Sequence, residues 1–172
     1  MKNFLKWGLY ITGLNVVMML IGYAAGWTVT PTGRTVGLIS MLLSLGILYM
    51  GIKERKSTDP AEFTFGKGFV EGLLISLVAG VIFAVFMYIY SEYINPEMLE
   101  YAKSEAYKSM AAQNMPKEQM EPARKMMEGF ISPSFYAITT LFMYVIGGGL
   151  ASLIISAIVK NVGGSAPPAE NS

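Results

Sequence analysis

Four long apolar stretches constrain the fold of this chain more than any other feature. Phe4–Gly26 carries one charge, Lys6, while Thr35–Ile52, Gly72–Ser91 and Gly129–Val159 carry none. A helix needs about 20 predominantly apolar residues to cross the roughly 30 Å hydrocarbon core of a bilayer. Helices of a soluble domain keep a polar face, and these stretches have almost none. The sequence therefore predicts an all-α protein, a polytopic bundle of four transmembrane helices.

Composition narrows the chemistry. Charged residues make up 15% of the chain, against about 25% in ordinary soluble domains. The net charge of +1 offers no basic field for nucleic acid. There is no cysteine and no histidine. Without histidine the commonest general base and the commonest metal ligand are both missing. A Ser-His-Asp enzyme, a zinc enzyme and a haem protein are excluded, and neither a cofactor nor a metal is expected. Thirteen methionines raise the question of Cu(I), which soft thioethers bind. Six of them, Met98, Met110, Met115, Met120, Met126 and Met127, fall in or beside one hydrophilic segment. Their spacing is not clustered, and apolar gap-filling is the expected role.

Along the chain, span one covers about residues 4–26. Ala24-Ala25-Gly26 has the small residues of a signal-peptide cleavage site, but a signal core is only about 7–15 residues long, so a retained span is expected. Thr30-Pro31-Thr32-Gly33 reads as a tight turn before span two at about 34–52. The polar linker 53–69 contains the helix-breaking Asp59-Pro60. Span three covers about 69–93. An extracytoplasmic amphipathic helical segment at 95–130 follows. Asn95, Pro96 and Glu97 read as the cap, first-turn proline and first-turn acid of its first helix. Leu99, Ala102, Ala106 and Met110 share one face of that helix. Gln113–Pro116 restarts the chain. A second helix presents Met120, Ala123, Met127 and Phe130, pairs Glu121 with Lys125, and has Pro122 at a position that splits or kinks helices. Span four covers about 133–160, and the tail 163–172 is expected to be disordered. Residues 1–162 thus form a single membrane domain.

Basic residues set orientation. Lys2, Lys6, Lys53, Arg55, Lys56, Lys67 and Lys160 flank one set of span ends, which places both termini in the cytoplasm. The segment from Glu92 to Glu128 holds seven acids and five bases and is expected outside.

Small residues mark helix contacts in lipid. Gly68, Gly72, Ser76, Gly80 and Ala84 recur every four residues on span three. This face suits either packing within the bundle or a homo-oligomer. Similar seams run along span one (Gly8, Thr12, Asn15, Gly22 and Gly26) and span two (Gly33, Gly37, Ser40, Ser44 and Gly51). Gly147, Gly148 and Gly149 weaken the fourth helix and are a candidate hinge of the kind seen in discontinuous transporter helices; tight packing explains them equally well.

Polar groups within spans are candidate ligand or substrate sites. Asn15 is the one strongly polar side chain near mid-membrane, suited to inter-helix hydrogen bonding. Glu71 and Glu92 are 21 residues apart, or about 31 Å along a helix. That puts both at interfaces, with Lys67 able to pair with Glu71. No buried acid is expected in a span, which argues against a proton-driven exporter.

The stretch FTFGKGFVEGLLISLVAGVIFAVFMYIYSEYINPE resembles domain-of-unknown-function family 4199, small four-span membrane proteins found mainly in Bacteroidetes. The matching features are Phe65-Gly66-Lys67-Gly68-Phe69, the Glu71-Gly72 step, the tyrosines Tyr88, Tyr90 and Tyr93, and Ile94-Asn95-Pro96-Glu97. The first span and the acidic segment before the last span are similar too. The resemblance carries no activity. It implies a bacterial cytoplasmic membrane protein surrounded by lipid, and a link to envelope metabolism through a membrane-associated glycosyltransferase or another envelope enzyme. A non-catalytic accessory or scaffold subunit is the first expectation. A small transporter or flippase of a lipid-linked substrate, resting on Asn15, Lys67 and the glycines of span four, is the alternative. An enzyme using Glu71 or Glu97 is the third.

Overall fold

The computed structural model describes residues 2–112 and 117–161, the side chains of 117–120 excepted. Six α-helices account for most of them: α1 (Asn3–Ala24), α2 (Pro31–Thr58), α3 (Phe65–Ile89), α4 (Glu97–Ala112), α5 (Lys117–Phe130) and α6 (Pro133–Asn161). A π-helical turn, Tyr90–Ile94, extends α3. The chain is all-helical among the described residues. Four helices, α1, α2, α3 with its extension, and α6, are long and apolar enough to span a bilayer.

Helix ends follow local chemistry. At the end of α1 the Trp27 N–H donates to Gly22 O at 2.8 Å and the Gly26 N–H to Tyr23 O at 3.0 Å. This is a Schellman closure, and it requires the positive φ of Gly26, 69°, which glycine adopts without steric cost. The turn between the first two spans is therefore centred on Gly26–Val29, earlier than the expected Thr30–Gly33. Thr30 instead caps α2, its hydroxyl accepting from Gly33 N at 3.2 Å, with Pro31 at the first helical position. At its far end α2 runs past Ile52 to Thr58, where Arg55 and Lys56 lie in the last turn and complement the helix dipole. Its 28 residues span about 42 Å, so its last turns emerge from a 30 Å hydrocarbon core. Thr64 caps α3 through Lys67 N at 3.2 Å.

Two expectations are corrected in the second half, and the glycine triplet is placed. Pro122 neither splits nor ends α5, which is one helix through it. The Glu121–Lys125 pair is not formed; among the described residues of this segment Lys108 pairs with Glu105 at 2.7 Å. The glycine triplet lies inside one unbroken helix, α6. The expected restart at Gln113–Pro116, the side chain of Met120 and the expected disordered tail lie outside the described residues. On α4, Leu99 and Met110 are buried, with Ala102 and Ala106 half-buried between them.

The centre of the bundle is α3. It packs most extensively on α6 and also meets α1 and α2. The small-residue face of α3 makes the α6 contact possible. A Cβ added at Gly72 would lie 2.8 Å from Ser152 Cβ, and one at Gly80 would lie 2.8 Å from Tyr144 Cβ. At Gly68 it would lie 3.0 Å from Ser156 Oγ, and at Gly148 it would collide with Ser76. The face Gly68, Gly72, Ser76, Gly80 is thus buried against α6 of the same chain, and Ala84 one turn on is buried too. Gly8 of the α1 seam is used likewise, since a Cβ there would lie 2.7 Å from Val78 Cγ1 of α3, whereas a Cβ at Gly22 or Gly26 would meet nothing within 4 Å.

The hydrophobic core is concentrated at one end of the bundle, where α1 and α3 begin and α2 and α6 end. Trp7, Ile52, Ile75, Ala79, Ile155 and Val159 pack together there. At the other end, which carries α4 and α5, the helices leave open space.

Candidate functional site: two polar ties and an outer cavity

The well-packed end is also the basic end. Lys6 of α1 pairs with Glu54 of α2, with both Nζ–O distances at 2.5 and 2.6 Å. The Trp7 indole N–H donates to the same carboxylate at 2.8 Å. The Asn3 amide donates to Gly51 O at 3.0 Å and to Glu71 Oε1 at 2.9 Å. Lys56 Nζ donates to Val159 O at 2.8 Å, at the C-terminal end of α6. Four helices are joined by side chains whose charge would be costly in lipid if left unpaired.

Two expectations fail here. Lys67 does not pair with Glu71; it pairs with Glu62 of the linker at 2.7 Å. The bond from Lys67 holds the exposed Glu62 carboxyl below the usual carboxylate range. Glu71, in the second turn of α3, is 8% exposed, so a span does carry an acid buried against the protein. Sequence reasoning missed it because periodicity places a residue along a helix, not against its neighbours. Glu54 was also missed, because only the extension of α2 beyond Ile52 brings it opposite Lys6.

Asn15 forms a second tie, deeper in the bundle. Its amide donates to Ile11 O at 2.8 Å and to Ser44 Oγ at 2.9 Å, and its Oδ1 accepts from Ser40 Oγ at 2.8 Å. Both ends of the side chain are engaged in joining α1 to α2.

Above Asn15 opens a cavity of about 270 Å³, walled in part by Met18, Met19, Val36, Phe83 and Tyr90. Tyr90 is fully buried, and its Oη accepts from Asn95 Nδ2 at 3.0 Å. The π-helical turn that carries Tyr90 re-aims the chain into α4; such turns recur at functional sites. Asn95 therefore uses its amide inward on Tyr90, while its backbone carbonyl accepts from Met98 N at 3.2 Å. Helix α4 begins at Glu97, one residue after Pro96.

The DUF4199 family model, described as protein of unknown function, matches residues 6–161. The chain belongs to the DUF4199 family. The match runs from the first turn of α1 through all four spans of this DUF4199 chain and includes the α4–α5 segment. No curated protein and no solved structure matches the chain. The four spans give it a multi-pass membrane topology. The first residues of α1 and the last of α6 lie at the same end, since Asn3 meets α2 and α3 where Lys56 meets α6.

Proposed function

We propose that this protein is a non-catalytic membrane module, an accessory or scaffold subunit of an envelope enzyme such as a membrane-associated glycosyltransferase. One observation carries the reading. The charged and amide side chains named here are committed to joining helices: Lys6 and Trp7 to Glu54, Asn3 to Glu71, Asn15 to Ser40 and Ser44. Such ties make a rigid platform. A platform needs a face to present, and α6 has one. Ile138, Phe142, Ile146, Leu150 and Ile154 recur every four residues and are all more than half exposed. A ridge of this period fits the groove of another helix. A homo-oligomer formed on this ridge is the same proposal with a second copy as partner.

Native mass spectrometry of the tagged protein from its own membranes tests it. A second chain at fixed stoichiometry is expected, lost on Ile146→Ala with Leu150→Ala while the monomer stays folded. The protein running alone, before and after those changes, overturns the reading. The proposed orientation has the basic end in the cytoplasm of a bacterial inner membrane. Because the chain has no cysteine, Ser104→Cys should react with an impermeant maleimide on intact spheroplasts and Ser57→Cys should not.

The cavity above Asn15 favours a second reading, a small transporter or flippase of a lipid-linked substrate. Substrate-dependent movement in proteoliposomes would support it over the scaffold reading.

A further inference from the structure

A second cavity, of about 350 Å³, adjoins the one above Asn15, since Thr28 and Met98 line both. The inner cavity is mostly apolar. Its floor, Asn15 with Ser40, has its N–H and O–H donors already engaged, so it leaves no donor in want of a polar ligand atom. Asn15 and Ser40 each lie nine residues from the nearer end of their helices, about 13 Å inside the span. The outer cavity is bounded by Tyr23, Asn95, Glu97 and Tyr101. Glu97 is the single charged residue lining either space, and it has no ion-pair partner among the described residues. An apolar slot at membrane depth, adjoining a lone carboxylate, matches an amphiphile whose head ends in an ammonium.

We infer that the two cavities form one site for a single phospholipid of the ethanolamine type. One acyl chain lies between α1, α2 and α3 with its end over Asn15, and the ammonium lies on Glu97. The carboxylate accepts the N–H bonds of a primary ammonium and repels an anionic head. Gly22 and Gly37 keep the inner slot open. A Cβ at either would meet nothing within 4 Å, as at Gly13, Gly46 and Gly147, but Gly22 and Gly37 also line the cavity, so a larger side chain there would enter it. That sets them apart from Gly8, Gly72, Gly80 and Gly148, where a Cβ would meet a neighbouring helix. The site needs only static binding and does not rest on either proposed function.

The test is a lipid titration read by native mass spectrometry on the delipidated full chain, with phosphatidylethanolamine and phosphatidylglycerol of identical acyl chains. Wild type should take up one phosphatidylethanolamine first, preferred over phosphatidylglycerol by up to about fivefold, the reach of one charge pair at a wet rim. Glu97→Gln should bring that ratio to about one and keep the chain-dependent binding. Gly37→Leu and Gly22→Leu should each lose the first bound lipid of either type at unchanged thermal stability. Equal affinity of wild type for the two lipids overturns the proposal. So does a first lipid retained by a folded Gly37→Leu or Gly22→Leu, and so does a polyprenyl phosphate as the lipid that co-purifies with the site. If both glycine variants misfold, the Glu97→Gln ratio decides alone.

Discussion

Replacing Gly148 by alanine should open the α3–α6 seam, whereas the same change one residue earlier should not. The two glycines are neighbours on one helix and share its propensity term, which favours alanine by up to about 1 kcal/mol in water. They differ in what faces them. A Cβ at Gly147 meets nothing within 4 Å, while one at Gly148 would collide with both Oγ and Cβ of Ser76. Turning the serine side chain moves only its Oγ, which now donates to Gly72 O at 2.9 Å; its Cβ is fixed to the α3 backbone. Carbon atoms prefer about 3.5–4.0 Å, so the two helices must part by about an ångström along a seam that also holds Gly72 against Ser152. Overpacking of this kind costs about 1–3 kcal/mol. The shared propensity term cancels between the two, so overpacking alone separates the variants by about 1–3 kcal/mol, with Gly147→Ala at or slightly above wild type and Gly148→Ala below Gly147→Ala. Reversible unfolding in mixed micelles, followed by Trp fluorescence or by steric trapping, measures the difference. Equal stabilities for the two variants would refute the close approach of α3 to α6 at Ser76.

Further outcomes follow from the ties. Lys6→Met should lower the stability of the bundle, by less than a buried pair would lose because both partners remain partly wet; adding Glu54→Gln should recover part of the loss, and no recovery in the double variant would remove the pair as a tie. Asn15→Ala should cost about 0.6–1.7 kcal/mol, the range of inter-helix hydrogen bonds in bilayers, with faster amide exchange at Ser40 and Ser44 rather than across α6. The Glu62 carboxyl, depressed by its bond from Lys67, should titrate below 4.5 by carbon NMR. A depressed carboxyl stabilises the fold above its unfolded pKa, and the contribution fades as pH falls through the folded one. Acidification below about 4.5 should therefore free the linker, and Lys67→Gln should return the midpoint toward 4.5. Asn95→Ala should loosen the turn after α3 by about 1 kcal/mol, seen as exchange confined to residues near 90–95.

Spans, family and class were legible because burial in lipid needs only a local property, some 20 consecutive apolar side chains. Caps at Thr30 and Thr64 and the closure at Gly26 are also local, though which of two nearby turn signals acts was decided by hydrogen bonds rather than by composition. The sequence could show that small residues recur every four positions on span three, and could not show which helix they would meet. Contact across helices settled that. It turned the stripe toward α6, put Glu54 rather than Glu71 within reach of a lysine, and sent Asn3 to Glu71 over 68 positions of chain. The cavity above Asn15 has no sequence signature at all, because a void is what several helices leave between them. Local chemistry fixed where the chain is helical and which parts meet lipid. Long-range packing alone decided which polar groups satisfy one another and where space remains for something else.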